Sequence, residues 1–113
     1  QPALVDQVKP GMPAFDEETF GPLGAVITAS SDEEAINLAN MSRYGLGASI
    51  WTRDEQKGEK LAREVECGSV FVNALMRSDA RLPFGGVKKS GFGRELSDIG
   101  LKEFVNVKSI SIA

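Results

Sequence analysis

Histidine is missing from these 113 residues, and cysteine occurs once. Without imidazole there can be no Ser-His triad, no histidine general base and no His-ligated metal. The single thiol, Cys67, closes no disulfide within the chain and builds no multi-thiolate zinc site. A lone unpaired thiol suits a reducing cytoplasm. Long apolar runs are lacking too. None approaches the roughly 18 residues of a membrane span, and Gln1 to Pro10 (QPALVDQVKP) does not have the layout of a signal peptide. Nor is positive charge in excess: 13 Lys and Arg face 16 Asp and Glu, a net charge of −3. That balance argues against nucleic-acid or anionic-membrane partners, whose phosphates need neutralising. Chemistry confined to this chain would fall to carboxylates, Lys, Arg, Ser, Tyr or the one thiol.

What is present suits a folded protein. Hydrophobic residues make up 42% and charged residues 26%, values typical of soluble globular chains. A chain of this size buries roughly two-thirds of its unfolded surface, so one modest core is expected. The first 22 residues read as irregular, interrupted by Pro2, Pro10, Pro13 and Pro22 with Gly11 and Gly21, although Ala3-Leu4-Val5 can be a short extended piece. From Leu23 the pattern is regular. Leu23 to Ala29 (LGAVITA) predicts a buried strand. Ser31-Asp32-Glu33-Glu34 is a capping box, and Ala35, Ile36, Leu38 and Ala39 give a helical apolar face ending near Tyr44-Gly45. Ala48 to Thr52 predicts a second strand. Thr52 to Glu55 opens a second helix, whose apolar face is Leu61, Ala62 and Val65 and which stops at Cys67-Gly68. Ser69 to Asn73 predicts a third strand.

Strands alternating with helices imply parallel pairing and an α/β sheet. Ala74 to Phe92 then reads as a long loop, of a length that in a compact domain is usually functional or disordered. A short helix around Glu95 to Phe104 follows. Val105 to Ile112 predicts a last strand with nothing after it to cover its edge.

The motifs resist simple assignment on their own. The segment Pro83 to Glu95 is rich in glycine, yet it carries Lys-Ser-Gly where a phosphate loop needs Gly-Lys-Ser/Thr. It also lacks the third glycine, and the preceding strand, of a dinucleotide fingerprint. A structural turn is the better reading, and an independent nucleotide-binding domain is disfavoured. Cys67 follows a predicted helix C-terminus, the negative end of the helix dipole, where a thiolate is disfavoured. It reads as a packing residue. Asp16-Glu17-Glu18 reads as a solvated acidic run. Arg77, Asp79 and Arg81 could clamp an anionic substrate or form a surface ion pair.

Taken in order, Glu18-Thr19-Phe20-Gly21-Pro22, Tyr44-Gly45-Leu46-Gly47-Ala48, Gly68 to Asn73, Pro83 to Gly91 and Gly93-Arg94-Glu95 resemble the aldehyde dehydrogenase superfamily across essentially the whole chain. Arg77 to Phe84 looks most like the succinate-semialdehyde dehydrogenases. The resemblance implies the C-terminal portion of a three-layer α/β catalytic domain over residues 1–104, followed by an oligomerisation strand at 105–113. It implies NAD or NADP as cofactor, with Glu18 on the nicotinamide ribose and Phe20 beside the nicotinamide ring. It implies a small aldehyde substrate, with Phe84 lining its tunnel and Ser78 helping to hold a substrate carboxylate. Asn73 and Gly93-Arg94-Glu95 look architectural.

In relatives a cysteine thiolate attacks the aldehyde, hydride passes to the nicotinamide, and the thioester is hydrolysed. The family's cysteine and general-base motifs do not occur here, and Cys67 does not stand at the nucleophile's place. The chain by itself is therefore expected to be inactive and to need an N-terminal part of the same protein. The expected setting is a cytoplasmic homo-oligomer with no nucleic-acid or membrane partner. The alternative is a non-catalytic structural or oligomerisation module of the same family.

Overall fold

The computed structural model describes residues 1–113. Its strands form three separate pairs. Ala3–Val5 (β1) runs parallel to Leu23–Ala25 (β2), with Ala3 opposite Leu23 and Val5 opposite Ala25. A parallel pair needs a long crossover, and residues 6–22 supply it, including a one-turn helix at Pro13–Asp16 (α1). Pro13 sits at the helix start, where its missing N–H costs nothing.

Asp32–Asn40 (α2) follows. Its cap is the expected one in part: the Glu34 N–H donates to Ser31 Oγ at 3.1 Å. The Glu34 carboxylate, however, reaches back to the N–H and hydroxyl of Ser30, at 2.6 and 2.5 Å, and these bonds hold it below the usual carboxylate range. Tyr44–Gly45 (β3) pairs antiparallel with Val87–Lys88 (β6), and Gly47–Ile50 (β4) pairs parallel with Ser69–Val72 (β5). Between β4 and β5 lies Glu55–Glu64 (α3), which packs on β5. Asp54, not Thr52, caps it: the Lys57 N–H donates to Asp54 Oδ1 at 3.0 Å, while Thr52 Oγ1 accepts from the Asp54 N–H. The last element is Ser97–Lys102 (α4).

Parallel α/β pairing is thus borne out, but several expectations need correction. The extended piece expected at Ala3–Val5 is a strand, because it finds a ladder partner far along the chain, and the segment read as irregular also holds a helical turn at Pro13–Asp16. Tyr44-Gly45 is strand rather than helix terminus. Residues 74–92 are not an uninterrupted loop, since they contain β6 and a bridge between Phe84 and Glu95. Residues 105–112 form no strand. A strand needs a neighbour for its N–H and C=O groups, and no backbone hydrogen bond reaches residues 106–113.

Nor does the expected core close. Val8 is the one buried hydrophobic residue, and Val26 and Ile27 of the predicted buried strand remain more than a third exposed. The accessible surface is 8972 Å², against about 6,000 Å² for a compact monomer of this mass. The radius of gyration is 17.8 Å, against about 13 Å for a chain of this length. Layers of apolar side chains are present on these elements, with no second layer in the chain to cover them. No helix is long and apolar enough to cross a membrane.

Candidate active-site segment

The loop that carries Phe84 is held from three directions. The Phe84 N–H donates to the Glu95 carbonyl and the Phe84 carbonyl accepts from the Glu95 N–H in return, both at 2.8 Å. Arg94 reaches around and donates through Nη1 to the carbonyls of Gly86 and Gly93, at 2.8 and 2.7 Å. Behind the loop lies the start of β5. A Cβ at Gly68 would lie 1.6 Å from the Gly85 carbonyl oxygen, so only glycine lets the two backbones meet. Gly93-Arg94-Glu95 is therefore architectural, as the resemblance implied.

Asn73 closes the other end of the long segment. Its φ of 54° lies in the left-handed region, which asparagine tolerates better than most residues. Its side-chain Oδ1 accepts from the Thr52 N–H at 2.9 Å, and its own N–H donates to the Ile50 carbonyl at 2.8 Å.

A concavity of about 640 Å³ is lined by Glu18 together with Phe15, Tyr44, Leu46, Cys67 and Ser90. The Glu18 carboxylate accepts no hydrogen bond from the chain, which leaves its oxygens free for ligand hydroxyls. Phe20, two residues on, is 94% exposed and does not line that concavity. Phe84 lines two others. One, of about 390 Å³, includes Leu46, Ser90, Arg94 and Phe104. The second, of about 320 Å³, includes Phe71, Arg77, Asp79 and Leu82. Glu18 and Phe84 share no concavity, but Leu46 and Ser90 line both the Glu18 hollow and one of the Phe84 hollows. Ser78 is exposed and lines none of these three.

The charged groups sort themselves clearly. Arg81 grips Asp79 with both arms, Nε to Oδ1 at 2.9 Å and Nη2 to Oδ2 at 2.6 Å. That pairing holds the Asp79 carboxyl well below the usual carboxylate range. Burial pushes the Cys67 thiol above its ordinary value of 9.0, and its Sγ donates to the Ser69 carbonyl at 3.2 Å. A protonated, donating thiol is no nucleophile at neutral pH. No group of His, Cys, Asp and Glu residues is arranged to hold a metal ion.

The profile of the aldehyde dehydrogenase family matches residues 1–110. The chain belongs to that family. Among similar relatives of this aldehyde dehydrogenase segment is the succinate semialdehyde dehydrogenase [NAD(P)+] of Escherichia coli (strain K12), 51% identical over 96% of this chain and 24% of its own length. A probable succinate-semialdehyde dehydrogenase [NADP(+)] of Synechocystis is 49% identical over 99% of this chain and 25% of its own length. The crystal structure of succinic semialdehyde dehydrogenase from Streptococcus pyogenes with NADP+ superposes with a TM-score of 0.94. It is 41% identical and covers 98% of this chain and 24% of that one. The chain spans about a quarter of the length of the curated relatives it matches.

Two residues that bind this aldehyde dehydrogenase segment together escaped the sequence reading. Asn40 joins the ends of α2 and α3: its Nδ2 donates to the Glu64 carbonyl and its Oδ1 accepts from the Glu66 N–H, both at 2.8 Å. Lys88 donates to the carbonyls of Asn40 and Ser42, at 2.7 and 3.1 Å, and pairs with Glu66 at 2.8 Å. An asparagine in a last helical turn is a known terminus signal. A lysine in a Lys-Lys pair looks like solvated charge, and nothing local marks it otherwise.

Proposed function

We propose that this chain is the C-terminal portion of an NAD(P)-dependent aldehyde dehydrogenase that oxidises succinate semialdehyde to succinate. One observation carries the reading: identities of 51% and 49% to succinate-semialdehyde dehydrogenases run through nearly the whole chain. Glu18 is assigned to the nicotinamide ribose and Phe20 to the nicotinamide ring. The free Glu18 carboxylate on a concave wall and the uncovered face of Phe20 support that fit. A carboxylate accepts well from paired hydroxyls, and an aromatic face holds a flat ring in place. When bound, the nicotinamide supplies the hydride acceptor. Phe84 is assigned to the wall of the aldehyde tunnel and Ser78 to the substrate carboxylate.

The nucleophile and general base belong to residues outside this chain, since Cys67 is a half-buried, protonated donor. The 113 residues alone are expected to turn over no aldehyde. Residues 1–104 are read as part of the catalytic domain and residues 105–113 as an oligomerisation segment of a homo-oligomer. The exposed Val105, Val107, Ile110 and Ile112 support an apolar partner for that segment. The unpaired thiol supports a cytoplasmic setting.

The test is turnover by the intact gene product. Reduced nicotinamide should form when succinate semialdehyde is supplied with NAD or NADP. No turnover with that substrate or with any aliphatic aldehyde would refute the assignment and favour a non-catalytic module.

A further inference from the structure

Residues 74–78 make no hydrogen bond at all, main-chain or side-chain. Ser78, the residue assigned to the substrate carboxylate, therefore stands at the end of an unanchored run. Met76 of this run lies over Gly47. Immediately after Ser78 the chain is fastened. Asp79 Oδ1 accepts the Arg81 main-chain N–H at 2.9 Å, and the Asp79 carboxylate takes both arms of the Arg81 guanidinium. The Leu82 N–H closes a turn onto the Asp79 carbonyl at 3.0 Å, and the Ser97 N–H ties the Ala80 carbonyl to the start of α4 at 3.0 Å. Arg77 and Asp79 line the 320 Å³ concavity while Ser78 between them does not. Fixing Asp79 thus restrains the main chain beside the exposed Ser78.

We propose that the Asp79–Arg81 clasp is a positioning device that holds Ser78 where a substrate carboxylate can meet it. This rests on the functional reading above. Asp79 does not touch the substrate; it acts through Ser78. The sign of its effect separates positioning from simple electrostatics. Removing a carboxylate near an anion site, with Arg81 left unpaired and Arg77 close by, should strengthen binding of an anionic substrate if charge alone mattered. Loss of position should weaken it, since small displacements of a binding group cost on the order of tenfold to a hundredfold.

The experiment is a double-mutant cycle in the intact protein. The readout is kcat/KM for succinate semialdehyde divided by kcat/KM for butanal, an uncharged aldehyde of equal carbon number. D79A should lower that ratio by about tenfold or more, chiefly through KM for the charged substrate. S78A should lower it comparably, and D79A added to S78A should change it little further. R81A should match D79A, because the pair acts as a unit.

Three results would overturn the proposal: a ratio raised or unchanged in D79A, equal losses on both aldehydes, or full additivity of D79A and S78A. If S78A leaves the ratio unchanged, the assignment of Ser78 itself fails, and the clasp falls with it. If only D79A leaves it unchanged, the assignment stands and the clasp alone is refuted.

Discussion

Replacing Gly68 by alanine adds one methyl group where a Cβ would meet a neighbouring backbone at very short range. The new Cβ would lie 1.6 Å from the Gly85 oxygen, 2.7 Å from the Gly85 carbonyl carbon and 3.2 Å from Gly86 Cα. Carbon and carbonyl oxygen approach no closer than about 3.3 Å, so the two backbones must part by roughly 1.7 Å. The obstacle is main chain and cannot rotate aside. Parting them strains the bond from the Gly68 N–H to the Gly45 carbonyl, now 3.0 Å, and the Arg94 bond to Gly86. Overpacking costs about 1–3 kcal/mol and each of the two weakened hydrogen bonds about 1 kcal/mol, for a loss of about 3–5 kcal/mol. Thermal unfolding of the intact protein should show the midpoint lowered by about 4 °C or more. Because Phe84 rides on the displaced loop, kcat/KM for the aldehyde should fall as well. A G68A protein that melts within a degree of the parent and keeps its activity would refute the packing argument.

Further outcomes follow from individual contacts. N40A removes two hydrogen bonds that join α2 to the end of α3 and should lower stability by about 1–2 kcal/mol in a denaturant titration. E18Q keeps the shape of the ribose contact proposed for Glu18 but loses its charge, and on that proposal should raise KM for NAD(P) about fivefold while sparing the melting temperature. Burial raises the folded pKa of Cys67 above its ordinary 9.0. The folded state therefore holds that proton more tightly, a contribution fully present below the unfolded value and lost as pH rises through the folded one. Melting followed from neutral pH to above 9.0 should show an alkaline loss that is smaller in C67A. Alkylation of Cys67 at neutral pH should likewise be slower than that of a free thiol.

The parts of the fold legible in the sequence are those decided by short-range chemistry. The Ser31 cap, the apolar stripe of α2, α3 and its stop before Gly68, and β5 all depend on residues within a turn or two of each other. The lapses have a common physical form. Asp54 took the cap of α3 while Thr52 turned its hydroxyl to the Asp54 N–H, a choice between neighbours that spacing does not decide. Ala3–Val5 reads locally as no more than an extended piece, because its ladder partner is about twenty residues away. Tyr44-Gly45 became strand because Val87-Lys88 came alongside, more than forty residues later.

The candidate site divides the same way. Its residues were visible as motifs, but their surroundings were not. Composition alone excluded histidine chemistry, a disulfide and a phosphate-neutralising surface. The dipole argument alone set Cys67 aside. Only the folded chain decided that Arg81 is spent on Asp79, that Lys88 binds the ends of α2 and α3, and that Glu18 and Phe84 face different hollows bridged by Leu46 and Ser90. Those outcomes depend on which backbones meet across long loops. Local sequence sets residue types and periodicities, whereas a contact such as Gly68 against Gly85 exists only once two distant segments have been brought together.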